Sequence, residues 1–283
     1  MGFSLGESPH PSDIDRFLAE DVGLGDLTAE TLPKELGATA TVITREPMVL
    51  CGKAWFEAVF NRLGSGVIIE WRHQEGDWVE AGETLCHLQG PARMLMTGER
   101  TALNLLQTLS GTATLSKRYA DAVQGTSLKV LDTRKTLPGL RDAQKYAVKV
   151  GGCHNHRIGL YDGILIKENH IRAIGSITLA VEAARNLSRN VMIEVEVESL
   201  EELDEALRTG VDRILIDEFT PAMREEAVAR SRGRAKLEVS GNVQIEDLPE
   251  IAKSGVDYVS IGSLTKHLRA MDLSMQVVIG AGA

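Results

Sequence analysis

Six short apolar runs, separated by helix-like stretches, predict an α/β fold: a short six-stranded parallel α/β barrel carrying an N-terminal α+β sandwich domain. The runs are Leu128–Leu131, Ile164–Ile166, Val191–Val197, Ile214–Ile216, Leu237–Val239 and Tyr258–Ile261, with nearly even gaps between the last four. Apolar strands that alternate with helices belong to a parallel sheet buried on both faces. Six strands suit a short closed barrel better than an eight-stranded one, with an open sheet as the rival. A second observation concerns what ends these runs. In order, they finish at Asp132 with Arg134 and Lys135, Lys167, Glu194 with Glu196, Asp217 with Glu218, Glu238 with Ser240, and Gly262 with Ser263. The carboxyl ends of barrel strands face the active site, so this row of polar ends predicts a catalytic mouth.

The elements before the barrel follow in order. Ser12, with Asp13, Ile14, Asp15, Phe17 and Leu18 behind it, predicts a capped amphipathic helix. Glu20–Leu27 (EDVGLGDL) combines turn formers with acids and predicts a loop. Ala38–Leu50 is rich in β-branched residues and predicts strand, whereas Ala54–Leu63 (AWFEAVFNRL) has helical spacing. Val67–Trp71 returns to strand, and Glu75–Leu85 has the turn chemistry of a tight β segment. This mixture predicts an α+β domain over residues 1–113, joined by the C-terminal segment 270–283, with the barrel over 114–269. Pro91 opens a long helix reaching Val123, with Leu103, Leu106, Leu109 and Ala113 on its apolar side. Glu99, Arg100, Thr101 and Asn104 are polar on the same helix, and the small residues of Ser110–Thr114 imply close packing or a bend.

Composition narrows the function classes. A chain of 283 residues is long enough for one large core or two domains, and 43% hydrophobic with 25% charged residues is an ordinary globular balance. A formal charge of −9 and a pI near 5.4 argue against a nucleic-acid partner. Cys51, Cys86 and Cys153 show no CxxC pairing, which leaves no zinc or disulfide framework. No run approaches a membrane span, and the N-terminus has Ser8, Pro9, Pro11 and Ser12 where a signal peptide needs apolar residues. The expected compartment is the cytoplasm, with no membrane partner.

Against that acidic background, Leu131–His170 concentrates cations: Arg134, Lys135, Arg141, Lys145, Lys149, His154, His156, Arg157, Lys167 and His170. They stand among glycines and at strand ends rather than along one helical stripe, which points to an anionic ligand rather than a solvated face. Glu194 and Glu196, two apart on a strand, share one face. Carboxylates there suit a divalent cation, ribose hydroxyls or a developing positive charge. Ser240-Gly241-Asn242 and Ile261-Gly262-Ser263 follow the last two runs, where barrels commonly place phosphate on backbone amides.

GERTALNLLQTLSGTAT (Gly98–Thr114), DTRKTLPGLR (Asp132–Arg141), KYAVKVGGCHNHRIGLYDGILIKENH (Lys145–His170) and IEVEVES (Ile193–Ser199) together resemble quinolinate phosphoribosyltransferase. The resemblance runs from Glu20 to Met275, nearly the whole chain. It implies transfer of the phosphoribosyl group of phosphoribosyl pyrophosphate to quinolinate, with decarboxylation, giving nicotinate mononucleotide, carbon dioxide and pyrophosphate for NAD biosynthesis. It also implies magnesium, and a homodimer or larger assembly. Arg134 and Arg157 are then the bidentate forks for the two quinolinate carboxylates, with Thr133 and His156 beside them. Lys135 and Lys167 act as point charges shared with the pyrophosphate, and Glu196 and Asp217 serve the ribose and metal region. Ser240, Gly241, Asn242, Ile261, Gly262, Ser263 and Lys266 hold the 5′-phosphate. Arg100 reaches the active site of a neighbouring subunit, with Glu99 as its orienting partner. Asn242 stands where a second glycine is frequent in the family, and Lys266 where many members have histidine.

Two rivals bear on the same residues. A paralogue associated with molybdenum transport shares the DTRKT stretch, but the Asn155-His156-Arg157 run and Lys167-Glu168-Asn169-His170 argue against it. A Schiff-base aldolase is the rival of a different class, because Lys167 ends an apolar strand as such lysines do.

Overall fold

The computed structural model describes residues 6–187 and 189–280, which fold as two units, one of residues 6–117, 136–152 and 264–280, the other of 118–135 and 153–263. In the first unit, helix α1 (Pro11–Val22) is capped at His10, two residues before the expected cap at Ser12. Pro11 takes the first helical position and the His10 ring nitrogen accepts the Ser12 N–H at 3.3 Å. Proline's fixed φ and missing N–H suit that position, so the cap moves upstream.

Strand β1 (Gly37–Thr44) buries every second side chain, and a break at Arg45–Pro47 separates it from the short β2 (Met48–Val49). Helix α2 (Lys53–Leu63) follows, then β3 (Ile68–Trp71), the short β4 (Trp78–Val79) and β5 (Thr84–Pro91). The C-terminal strand Leu273–Ile279 pairs antiparallel with β1, whose other edge pairs with β5, and β3 completes a four-stranded sheet. Pro91 closes β5, and helix α3 (Ala92–Ala122) begins beside it. Phe56, Phe60, Leu85, Leu88, Leu95, Leu103, Leu106 and Leu109 are almost wholly buried in this unit's core. Each such side chain contributes about 1.5–3 kcal/mol by leaving water.

The small residues of α3 mark close approach rather than a bend. A Cβ on Gly111 would stand 2.2 Å from the backbone oxygen of Arg269. The Ser110 hydroxyl accepts the Cys51 N–H at 3.0 Å and lies 3.1 Å from the Cys51 carbonyl, and the Thr114 hydroxyl accepts the Val49 N–H at 2.9 Å, so these hydroxyls satisfy buried backbone beside β2. Helix α4 (Arg141–Val150) belongs to this unit, with Gln144 and Lys145 fully buried. The cations Arg141, Lys145 and Lys149 thus belong to this unit and Arg134 and Arg157 to the other, although the sequence places them in one run.

The second unit holds β6 (Lys129–Leu131), β7 (Gly163–Ile166), α5 (Glu168–Ile174), α6 (Ile177–Asn186) and β8 (Met192–Val197). It continues through α7 (Leu200–Thr209), β9 (Arg213–Asp217), α8 (Pro221–Ser231), β10 (Lys236–Ser240), α9 (Leu248–Lys253) and β11 (Tyr258–Ser260). Ser176, Ser199 and Thr220 cap α6, α7 and α8, each hydroxyl accepting the N–H three residues on. The six strands are parallel, in the order β6-β11-β10-β9-β8-β7.

Closure does not come from a ladder between the two end strands. The segment Cys153–Arg157 spans them: His154 exchanges backbone bonds with Val130 (2.8 Å) and Asp132 (3.0 Å), and Arg157 Nη1 donates to the Gly163 carbonyl at 3.0 Å. The curl is visible inside. Glu194 on β8 and Glu238 on β10 lie two strands apart, about 9.5 Å in a flat sheet. Their carboxylates and the His156 ring nevertheless come within 4.8 Å of one another.

Gly111→Ala tests the packing of α3. Alanine gains about 1 kcal/mol of helix propensity over glycine. Overpacking against fixed backbone costs about 1–3 kcal/mol. The expected outcome is a lower urea midpoint for Gly111→Ala than for wild type at an unchanged slope.

Candidate active site

Strand alternation and strand ends determine which side chains meet. Leu131 ends β6, and the chain turns through Asp132–Lys135 at its carboxyl end. Asp132 is fully buried; its Oδ1 accepts the His156 N–H at 2.9 Å and its Oδ2 the Asn155 side-chain amide at 2.6 Å. One carboxylate thus fastens the closing segment to β6 and sets where His156 and Arg157 leave it. Thr133 accepts the Lys135 N–H at 3.0 Å, and Lys135 lies against Gly262 at the end of β11, where a Cβ would come 3.0 Å from its Cδ.

Arg157 is half-buried. Burial and then the neighbouring Arg134 charge both pull its pKa down, with Glu194 and Asp162 opposing. Two guanidinium groups that repel each other in a partly desolvated place create a demand for negative charge. Lys167 caps α5 at the end of β7. The His170 ring accepts its backbone N–H at 3.0 Å, and its Nζ donates to Glu196 from the neighbouring β8. This explains the KENH spelling, since the histidine holds the lysine at the strand–helix junction.

Glu194 and Glu196 face the same way on β8 at two depths. Glu196 is 9% exposed and meets Lys167, whereas Glu194 is wholly buried with Glu238. Arg213 on β9 donates to Glu238 at 2.8 Å and stacks on the Tyr258 ring at 4.2 Å. The His156 Nε2 stands 2.9 Å from Glu194 and 3.5 Å from Glu238. Burial pushes both carboxyls above the ordinary range, and Arg213 pulls each back toward ionisation.

Asp217 ends β9 half-buried, and Glu218 after it takes a left-handed φ of 55°. Ser240 ends β10, and Gly241 turns the chain at φ 124°, a conformation that favours glycine. Asn242 is exposed on that turn. The Ile261 N–H extends the β11–β6 ladder to the Leu131 carbonyl at 2.8 Å, and Ser263 lies 3.4 Å from the Tyr119 hydroxyl. Thr133, Arg134, Lys135, His156, Arg157, Lys167, Glu196, Asp217, Ser240, Gly241, Asn242, Ile261, Gly262 and Ser263 all belong to this unit. Arg100 and Lys266 belong to the other. Arg100 is mostly exposed and pairs with Glu99 at 2.8 Å.

Arg213 and the anchoring role of Asp132 escaped sequence reasoning. Glu238 did carry a signal, since a carboxylate in the middle of the apolar run LEV requires a buried partner. Chemically, the mouth brings guanidinium and ammonium groups, two carboxylates and glycine turns to one end of the strand ring. That set suits anionic ligands. Glu196 and Asp217, hard oxygen donors on adjacent strands, fit a magnesium ion that leans chiefly on substrate phosphates.

Known proteins show the same organisation. Sequence models of the quinolinate phosphoribosyl transferase N-terminal and C-terminal domains match residues 26–110 and 112–276. The chain is 39% identical to a probable nicotinate-nucleotide pyrophosphorylase (carboxylating) of Bacillus subtilis, over 94% of this chain and 92% of the relative. It is 41% identical to the nicotinate-nucleotide pyrophosphorylase (carboxylating) of Mycobacterium leprae, over 93% and 95%. The solved nicotinate-nucleotide pyrophosphorylase of Francisella tularensis superposes with a TM-score of 0.92 at 43% identity, covering 98% of this chain and 100% of that one.

Cys153 lies in the closing segment, but burial pushes its thiol up to about 12. Burial does the same to Cys86, and raises Cys51 as well. No thiolate nucleophile is available near neutral pH. A thiol titration at pH 8 should label no cysteine in the native protein and all three after unfolding.

Proposed function

Since this chain belongs to the quinolinate phosphoribosyltransferase family, we propose that the mouth described above transfers phosphoribosyl from phosphoribosyl pyrophosphate to quinolinate with decarboxylation. The enzyme is a pentosyltransferase of NAD biosynthesis. The observation that carries the reading is the Arg134–Arg157 pair, two mutually repelling guanidinium groups whose repulsion a dicarboxylate would relieve.

The pyridine nitrogen attacks C1 of the ribose while pyrophosphate leaves, through a transition state with oxocarbenium character. Glu196 and Asp217 offer negative charge where C1 becomes positive, and Lys135 and Lys167 offer positive charge to the pyrophosphate. The ion pair between Lys167 and Glu196 keeps both groups extended toward the mouth before substrate arrives. Magnesium, when bound at Glu196 and Asp217, supplies charge neutralisation to the pyrophosphate. After transfer, carbon dioxide leaves, the electron pair of the broken C–C bond stays on the ring carbon beside the cationic nitrogen, and that carbon takes a proton from water, so no protein nucleophile is required. The turns Ser240–Asn242 and Ile261–Ser263 hold the 5′-phosphate, with Lys266 three residues beyond. The aldolase alternative fits less well, because Lys167 is paired with a carboxylate and half-exposed rather than desolvated.

Arg100 completes the site from a second copy of the chain. Its side chain is 58% exposed and braced by Glu99 on the helix surface, which suits a group presented outward. Among the described residues no helix is long and apolar enough to cross a membrane. Cytoplasmic location is the accompanying proposal.

Incubation with quinolinate, phosphoribosyl pyrophosphate and magnesium should release carbon dioxide; folded protein that releases none would overturn the reading. Arg134→Ala should raise the KM for quinolinate about 10- to 100-fold, the loss of one charge-assisted contact. The KM for phosphoribosyl pyrophosphate should move far less. Mixing Arg100→Ala and Arg157→Ala chains should restore part of the activity in heterodimers. Heterodimers that form but stay inactive would rule out a shared site.

A further inference from the structure

Among the described basic residues of the mouth His156 alone is buried, at 9% exposure, and both of its ring nitrogens face protein groups. The backbone N–H of Arg157 donates to Nδ1 at 2.7 Å, so Nδ1 presents a lone pair and carries no proton. On the opposite side, Nε2 faces carboxylate oxygens of Glu194 at 2.9 Å and Glu238 at 3.5 Å, so it carries the proton. An imidazole that accepts at one nitrogen and donates at the other is neutral and has no N–H left for a ligand. Its backbone N–H is taken as well, by Asp132 at 2.9 Å.

We propose that His156 is a positioning residue that acts through Arg157 rather than a donor to quinolinate, with Glu194 and Glu238 as its supports. The proposal rests on the reading of Arg134 and Arg157 as the dicarboxylate forks. The chain of contacts runs from the barrel interior to the mouth. Arg213 donates to Glu238, the two glutamates face Nε2 at ion-pair distance, and the Arg157 amide donates to Nδ1. Arg157 Nη1 is tied to the Gly163 carbonyl at 3.0 Å, which leaves its Nε and Nη2 edge to a carboxylate. A guanidinium anchored at backbone and at one nitrogen loses little freedom on binding, whereas an unbraced one must be ordered by the substrate.

The same cluster has the donor set of a small metal site. Arg213 already brings a positive charge against Glu238, which lowers the demand for a cation at this cluster.

The test reads the ring itself. Protein labelled with 15N-histidine, with His156 assigned by difference against His156→Gln, should show a neutral ring protonated at Nε2 by NMR. That pattern should persist when quinolinate is added to saturation. A doubly protonated ring, or transfer of the proton to Nδ1 on quinolinate binding, would overturn the proposal, because either makes His156 a donor to the ligand. A kinetic arm separates positioning from general damage. Glu194→Leu removes the acceptor and should raise the quinolinate KM about tenfold or more, the usual effect of losing an orienting partner. The KM for phosphoribosyl pyrophosphate should stay near its wild-type value. Glu194→Gln, whose carbonyl still accepts the Nε2 proton, should restore the quinolinate KM. Equal rises in both KM values, or no rescue by glutamine in folded protein, would count against it. Wild-type protein that turns over no quinolinate would sink the proposed function instead, while the ring signals without ligand would still decide the tautomer.

Discussion

Between β6 and β7 the ring of strands has a gap, and the five residues Cys153–Arg157 cross it. Their hold on β6 depends on one buried carboxylate, since Asp132 receives both the Asn155 side chain and the His156 amide. Their hold on β7 is the guanidinium of Arg157 on the Gly163 carbonyl. The same residues that close the ring therefore aim the charges of its mouth. Loosening this seam would expose unpaired backbone at two strand edges and also release Arg157. Architecture and recognition share a single set of hydrogen bonds here.

The interior beneath the seam is unusual for a barrel core because it is charged. Glu194 and Glu238 are wholly buried, and each ion removed from water costs several kcal/mol unless its partners are well placed. Arg213 and His156 are those partners. Such a cluster adds little net stability, yet removing one member strands the others, at about 3–5 kcal/mol. Its value lies in geometry. Apolar packing would fill the same volume without determining which way the His156 ring faces. Above it, the Lys167–Glu196 pair forms a second and wetter layer, open to ligand at the carboxyl ends of the strands.

Much of this organisation was legible in the sequence, for identifiable reasons. All six parallel strands lie within a residue or so of their apolar runs, because fully buried strands leave a continuous hydrophobic signature. The same periodicity gave α2 and α3 nearly residue by residue. Lys167 and Glu196, which the sequence places at the ends of such runs, meet each other there. The start of α1 was misplaced since Ser12 is a better cap by type, and proline's preference for the first turn outweighed it. Ala38–Leu50 read as one strand, but the ladder breaks after Thr44, where Glu46 instead pairs with Arg269 and the Asp272 amide.

By itself the sequence determined the strand count, the helix faces and the chemical types gathered at the strand ends, because these follow from local periodicity and composition. It also carried the motifs that mark the family. Only the tertiary structure decided which unit each cation belongs to. Arg141, Lys145 and Lys149 share a run with Arg134 and Arg157, yet α4 packs with the other unit. Nor does spacing along a chain show that Glu194 and Glu238 converge on His156 with Arg213 behind Glu238, since that depends on the curl of the sheet across three strands. The tautomer of a ring is set by what faces its two nitrogens, and partners brought together by folding are not written next to it in sequence.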